Sequence, residues 1–138
     1  MSQGAVASGN ITPSRIVYLD DTTGYAGRVL QAASATAKPL YGVAQAGTHN
    51  IPLTIGGASL DDGYAATAGL NLAVYTEGDC CKVEAGAAFS SGNTLTSDSS
   101  GRAIATTTDA NFVVGVALAP ATAAGQLVEM RVQTMMRA

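Results

Sequence analysis

The chain has 138 residues, a formal net charge of −3, 12% charged and 5% aromatic side chains, and no Trp. Its seven cations (Arg15, Arg28, Lys38, Lys82, Arg102, Arg131 and Arg137) are scattered, so there is no basic stripe to displace counterions from a nucleic acid. No window reaches the ~18 consecutive apolar residues of a membrane helix, and the N-terminus lacks the charged and apolar regions of a secretory signal.

Residues 1–14 are small and polar, without periodicity, and are expected to form an extended N-terminal arm ahead of one β-rich domain spanning 15–138. Arg15 to Leu19 is rich in β-formers and runs into the polar turn from Asp20 to Gly24. Arg28 to Ala32 alternates and is its expected partner strand. Leu40 to Ala46 is the next strand and carries a Gly-Val-Ala step. Between Gly47 and Gly63, Pro52 demotes any strand to a sheet edge, while Gly56-Gly57 and Asp61-Asp62-Gly63 mark turns. Tyr64 to Ala68 reads as one helical turn.

Leu70, Leu72 and Val74 then alternate with Asn71, Ala73 and Tyr75 as a strand, and Thr76 to Asp79 turns the chain. In the following strand Cys81, Val83 and Ala85 share one face, and Cys80, Lys82 and Glu84 the other. Ala87 to Ser91 reads as a short helical or 3₁₀ turn. The runs Thr94 to Thr96 and Arg102 to Thr106 flank Ser97-Asp98-Ser99-Ser100-Gly101, a five-residue hairpin loop with Gly at the positive-φ position.

Phe112 to Leu118 is almost wholly apolar, as for a strand covered on both faces. Across a small-residue link, Val128, Met130 and Val132 alternate with Glu129, Arg131 and Gln133, as for a half-buried strand. The tail from Thr134 is expected to be unstructured or paired at an edge. Leu40 to Asn50 echoes Val114 to Gly125, which suggests two similar strand–link units. Short strands at close spacing, with no 3.6-residue period over ten residues, give an all-β fold, a sandwich or barrel-like domain.

No constellation for chemistry stands out. The one histidine, His49, lies in a Gly-Thr-His-Asn turn, and no G-x-S-x-G elbow supplies a nucleophile for it. Asp20-Asp21 and Asp61-Asp62 are turn neighbours, whereas acid–base work needs carboxylates in different environments across a substrate. The Asp61-Asp62-Gly63 turn lacks an EF-hand pattern for Ca²⁺. Gly56-Gly57 has no following Lys-Ser/Thr to cradle phosphate. One His and two adjacent Cys fall short of four zinc ligands. Adjacent cysteines in a strand point to opposite faces, so both are expected as free thiols, with Cys81 a small core residue. The tyrosines at 18, 25, 41, 64 and 75 are dispersed and suit interface anchoring better than base stacking. The chain is therefore expected to be no enzyme and to need no cofactor or metal. A surface this poor in charge suits a protein buried against other subunits.

The order of segments carries a resemblance: PSRIVYLD, RVLQA, GVAQAGTHNIP, AGLNLAVYTEGD, SDSSGRAIA and VVGVALAPATAAGQLVEMRV. From about Thr12 to Val132 it resembles the small capsid decoration, or cement, proteins on the heads of tailed bacteriophages. The resemblance implies a structural protein made in the host cytoplasm and carried on the outer capsid surface of the virion. It also implies binding to the major capsid protein, self-association as a homotrimer, and contact with neighbouring cement subunits. Neither nucleic acid nor membrane is an expected partner. On that footing Ser2, Gln3, Val6, Asn10, Ile11, Pro13 and Arg15 of the arm are the expected capsid or subunit interface. Deleting residues 2–14 should then remove decoration and leave the fold intact. A tail or baseplate module and a glycan-binding β module are the other classes considered; the absence of Trp weighs against the second.

Overall fold

A computed structural model describes residues 2–20, 28–36, 39–48, 54–55, 58–59, 63–107 and 111–136. Among them are twelve strands and no helix, so the all-β expectation holds. The strands are β1 (Ser2–Val6), β2 (Ile16–Leu19), β3 (Val29–Gln31), β4 (Leu40–Ala44), β5 (Thr54–Ile55), β6 (Ala58–Ser59), β7 (Asn71–Tyr75), β8 (Cys80–Glu84), β9 (Thr94–Ser97), β10 (Ala103–Ala105), β11 (Phe112–Ala117) and β12 (Leu127–Met136). Apart from the small β5–β6 hairpin they form two antiparallel five-stranded sheets, ordered β1-β7-β4-β2-β3 and β8-β12-β11-β9-β10.

These two orders are the same topology used twice. The first unit runs from β1 to β7 and the second from β8 to β12. Paired residues repeat as well: Val6↔Asn71 and Ser2↔Tyr75 in the first unit correspond to Glu84↔Leu127 and Cys80↔Arg131 in the second. Likewise Ala44↔Val74 corresponds to Ala117↔Met130, and Ile16↔Val43 to Thr94↔Val116. The Gly-Val-Ala echo marks the central strand of each sheet. A Cβ on Gly42 would collide with the Tyr75 carbonyl oxygen, and one on Gly115 with the Arg131 carbonyl oxygen. Only glycine lets the neighbouring strand come that close.

Each sheet also curls until its two edges meet. Ala7, just past β1, bridges Val29 of β3, and Ala85, just past β8, bridges Ala103 of β10. Further on, Ile11 bridges Ala66 and Phe89 bridges Ala121, so one apolar side chain closes each unit. The first unit thereby encloses a core of its own, built from Ala7, Ile11, Val17, Val29, Leu72 and Val74 among others. The second encloses Ala85, Phe89, Leu95, Ala103, Val128 and Met130 in the same places. Ile16, Leu40 and Val43, on the outward face of the first unit, join this second cluster and weld the two units together.

Several expectations hold in detail. β2 and β3 pair, β9 and β10 form the hairpin around Gly101 at φ +78°, and β12 alternates buried Val128, Met130 and Val132 with exposed Glu129, Arg131 and Gln133. Others need correction. Tyr64–Ala68 and Ala87–Ser91 are not helical; each supplies an isolated bridge, at Ala66 and Phe89, because closing the unit satisfies more backbone and apolar surface than one helical turn does. Of the two alternatives for the tail, the unstructured one is set aside, since β12 continues to Met136 and pairs Met136 with Phe112 of β11. The N-terminal segment is not a free arm: Ser2–Val6 is an edge strand on β7, and Ala7 and Ile11 are completely buried.

Candidate functional site

The residues expected at the interface divide sharply. Ser2 and Gln3 lie in β1, and Val6, half-buried, ends that strand opposite Asn71. Ile11 is in the first unit's core, donating its N–H to the Ala66 carbonyl (2.9 Å) and accepting from Ala65 N–H (2.7 Å). Pro13 is half-buried, and among those of the seven with a described side chain only Asn10 is exposed.

Arg15 works inside the molecule. One guanidinium nitrogen donates to the Ser100 carbonyl (2.7 Å) and another pairs with Glu84 (3.1 Å), which ties β2 to the second unit. Gln31 donates to the same carbonyl (2.8 Å) and accepts from Thr12 N–H (2.8 Å). Glu84 N–H donates to the Ser14 carbonyl (3.0 Å), and Ile16 N–H to the Gly101 carbonyl (2.8 Å). Residues 11–16 are thus the joint between the units, and deleting residues 2–14 removes core and joint together. The structure gathers Ile11 to Arg15 at this joint and leaves Ser2 to Val6 on the sheet edge beyond it.

Only some of the groups considered for chemistry are among the described residues. His49, Asp21, Pro52, Gly56-Gly57 and Asp61-Asp62 lie outside the described residues. Among the described residues no three His, Cys, Asp or Glu side chains come together as a metal site. Asp20 is buried and accepts the Ser8 hydroxyl (2.7 Å), the role of a turn anchor. Cys80 and Cys81 are free thiols, the first exposed and the second buried. Burial, followed by the nearby charges of Asp79 and Cys80, pushes the Cys81 thiol up to about 12, so it stays protonated and inert.

What remains as a candidate site is surface. The link between β11 and β12 stands at the tip of the second unit, with residues 122–127 all exposed. Leu118 and Leu127 flank it, 49% and 55% exposed, and a shallow groove beside Leu127 is bounded by Pro120, Gln126, Lys82 and Glu129. The tip is firmly built despite its exposure. Gln126 accepts from Thr122 N–H and donates to the Thr122 hydroxyl, both at 2.8 Å. Gly125 N–H donates to the Ala85 carbonyl (2.8 Å), with Gly125 at φ +92°. The exposure of these leucines was not expected from the sequence, where Leu118 ends an almost wholly apolar run; the signal was two Leu bracketing a run of small residues, at positions that continue the outward side of each strand.

Comparison with known proteins finds a matching family and a solved structure of similar fold. A family model described as phage cement protein matches residues 52–132, from the link before β7 through most of β12. None of the curated proteins matches the chain. Among solved structures, the N base of the head fiber gp8.5 of bacteriophage phi29 is similar at 21% identity and a TM-score of 0.60. That alignment covers 96% of this chain and 93% of the phage chain, so the likeness of fold takes in both units.

Proposed function

This chain belongs to the phage cement protein family, and on that premise we propose that it decorates the outer surface of a phage capsid and stabilises the shell by binding the major capsid protein. The observation that carries the reading is the family match, which spans all of β7 to β11 and most of β12. The likeness to part of a phage head fiber supports it at the level of fold. So does the surface: few charges, exposed apolar side chains at a rigid tip, and no gathering of catalytic groups among the described residues.

The mechanism is linkage. A protein that binds the assembled shell and not its dissociated parts stabilises the shell by about 2.7 kcal/mol per site at a hundredfold excess over Kd. Many sites share one particle, so modest affinity at each is enough. Self-association, as the homotrimer that the resemblance implies, raises this further, because a trimer engages several sites at once. Contacts with neighbouring copies would run along β1, which ends its sheet's strand order and, ahead of the Ala7–Val29 bridge, presents Ser2–Val6 beside exposed Asn10.

The test is reconstitution. Capsids assembled without this chain are mixed with the purified protein and sedimented. Saturable co-sedimentation, with a higher melting temperature of the decorated shell, is the expected result. Absence of binding to capsids, or binding to purified tails instead, would overturn the reading.

A further inference from the structure

The repeat supplies an internal control for which surface side chains the fold itself requires. Leu118 follows Ala117 in the second unit as Gln45 follows Ala44 in the first, and Leu127 opposes Glu84 as Asn71 opposes Val6. At these two positions the first unit carries polar residues. Gln45 accepts from Ala73 N–H (2.8 Å) and donates to the Gly47 carbonyl (2.9 Å). The same fold is therefore served by Gln and Asn, yet the second unit places leucines there with about half of their surface left in water. Folding does not explain those leucines; an external contact does.

We infer that the tip of the second unit, Leu118, Pro120 and Leu127, is the face this chain sets against the capsid, and that its occupant is an uncharged apolar patch of the shell protein. This rests on the capsid-binding reading above and adds the surface and the chemistry of the partner. Charge complementarity selects the occupant. No ionisable side chain occurs between Asp109 and Glu129. At the rim, Glu129 and Lys82 stand opposite each other in adjacent strands, so their opposite charges leave little field over the groove. A charged partner would lose hydration there and gain no counter-charge, whereas a neutral apolar patch loses nothing. The hydrogen-bonded frame around Thr122, Gly125 and Gln126 holds the tip in place before contact, which reduces the ordering cost of binding.

Full burial of a leucine is worth about tenfold to a hundredfold in affinity. Leu118 and Leu127 have about half their surface left to bury, so each accounts for roughly threefold to tenfold and the pair for roughly 10- to 100-fold.

The experiment grafts the first unit's residues onto the second, as the double variant Leu118→Gln/Leu127→Asn. Its binding to capsids assembled without this chain is measured by co-sedimentation. Leu19→Ser serves as the control, because Leu19 is also exposed (46%) and Ser97 is its counterpart in the second unit. The double variant is expected to stay folded, with a melting temperature within a few degrees of wild type and the wild-type free-solution mass by light scattering, and to bind roughly 10- to 100-fold more weakly, while Leu19→Ser binds like wild type. Equal binding by wild type and the folded double variant overturns the inference and leaves the capsid-binding reading standing. An altered oligomeric state of the free double variant overturns it too, by assigning the patch to a second copy of this chain. An equal loss in Leu19→Ser overturns it as a general effect of surface hydrophobicity. Failure of the wild type to bind capsids removes the reading on which it rests.

Discussion

Replacing Ile11 by Ala probes whether the N-terminal segment is an arm or a part of the core. Ile11 has no exposed surface, packs with the cluster that includes Val17, Leu72 and Val74, and is anchored through both backbone groups to Ala65 and Ala66. Truncating a fully buried isoleucine costs about 2–5 kcal/mol, since transfer free energy is lost and a cavity is left. Against a typical domain stability of about 5–15 kcal/mol, that is a large fraction. It corresponds to a fall in Tm on the order of 10 °C for a chain of this size. Far-UV circular dichroism during thermal and urea unfolding would read it. The neighbouring exposed Asn10→Ala should stay within about 0.5 kcal/mol of wild type. An Ile11→Ala protein that melts within a degree or two of wild type, together with a well-folded deletion of residues 2–14, would refute the placement of this segment in the core.

Other outcomes follow from single positions. Gly115→Ala puts a Cβ against the Arg131 carbonyl oxygen and 2.6 Å from the Met130 methyl carbon, so the central strands must part; a loss of about 1–3 kcal/mol in urea unfolding is expected, with Gly42→Ala similar. Thr96 is buried with its hydroxyl unpaired, so Thr96→Val should raise stability by about 1 kcal/mol in the same assay. Thiol titration of the native protein should label Cys80 quickly and Cys81 only after unfolding. The Cys81 thiol is raised from 9.0 to about 12 by folding, so its contribution to stability is complete below pH 9 and is lost as pH rises toward 12. A Cys81→Ala variant, whose core lacks that titration, should show a shallower loss of stability across this window.

How much of this was legible depended on what each strand buries. β7, β8 and β12 alternate, because one face of each lies on a core and the other does not, and Leu72, Val83 and Met130 announce it. The β9–β10 hairpin was legible from its loop chemistry at Gly101. β1 was not, because Ser-Gln-Gly-Ala-Val has no apolar period: an edge strand is held by backbone pairing, which composition does not record. The repeat was only half legible for a related reason. The outward row Ile16–Val43–Tyr75 in the first unit is apolar because it packs on the second. The matching row Thr94–Val116–Arg131 is more polar, because among the described residues no comparable apolar unit covers it. Equivalent positions thus diverged with their surroundings, and Gly-Val-Ala survived in both because its glycine faces a neighbouring backbone. The N-terminal segment looked unattached because its sequence is small and polar, and Leu118 looked like core because it ends an almost wholly apolar run.

The most direct test is an image of the head of the phage that carries this chain, reconstructed at a resolution that separates sheets. Density is expected outside the shell, in which each copy shows two adjoining five-stranded units with the β11–β12 tip against the capsid surface. A bare outer shell, with the protein located on the tail, would contradict it.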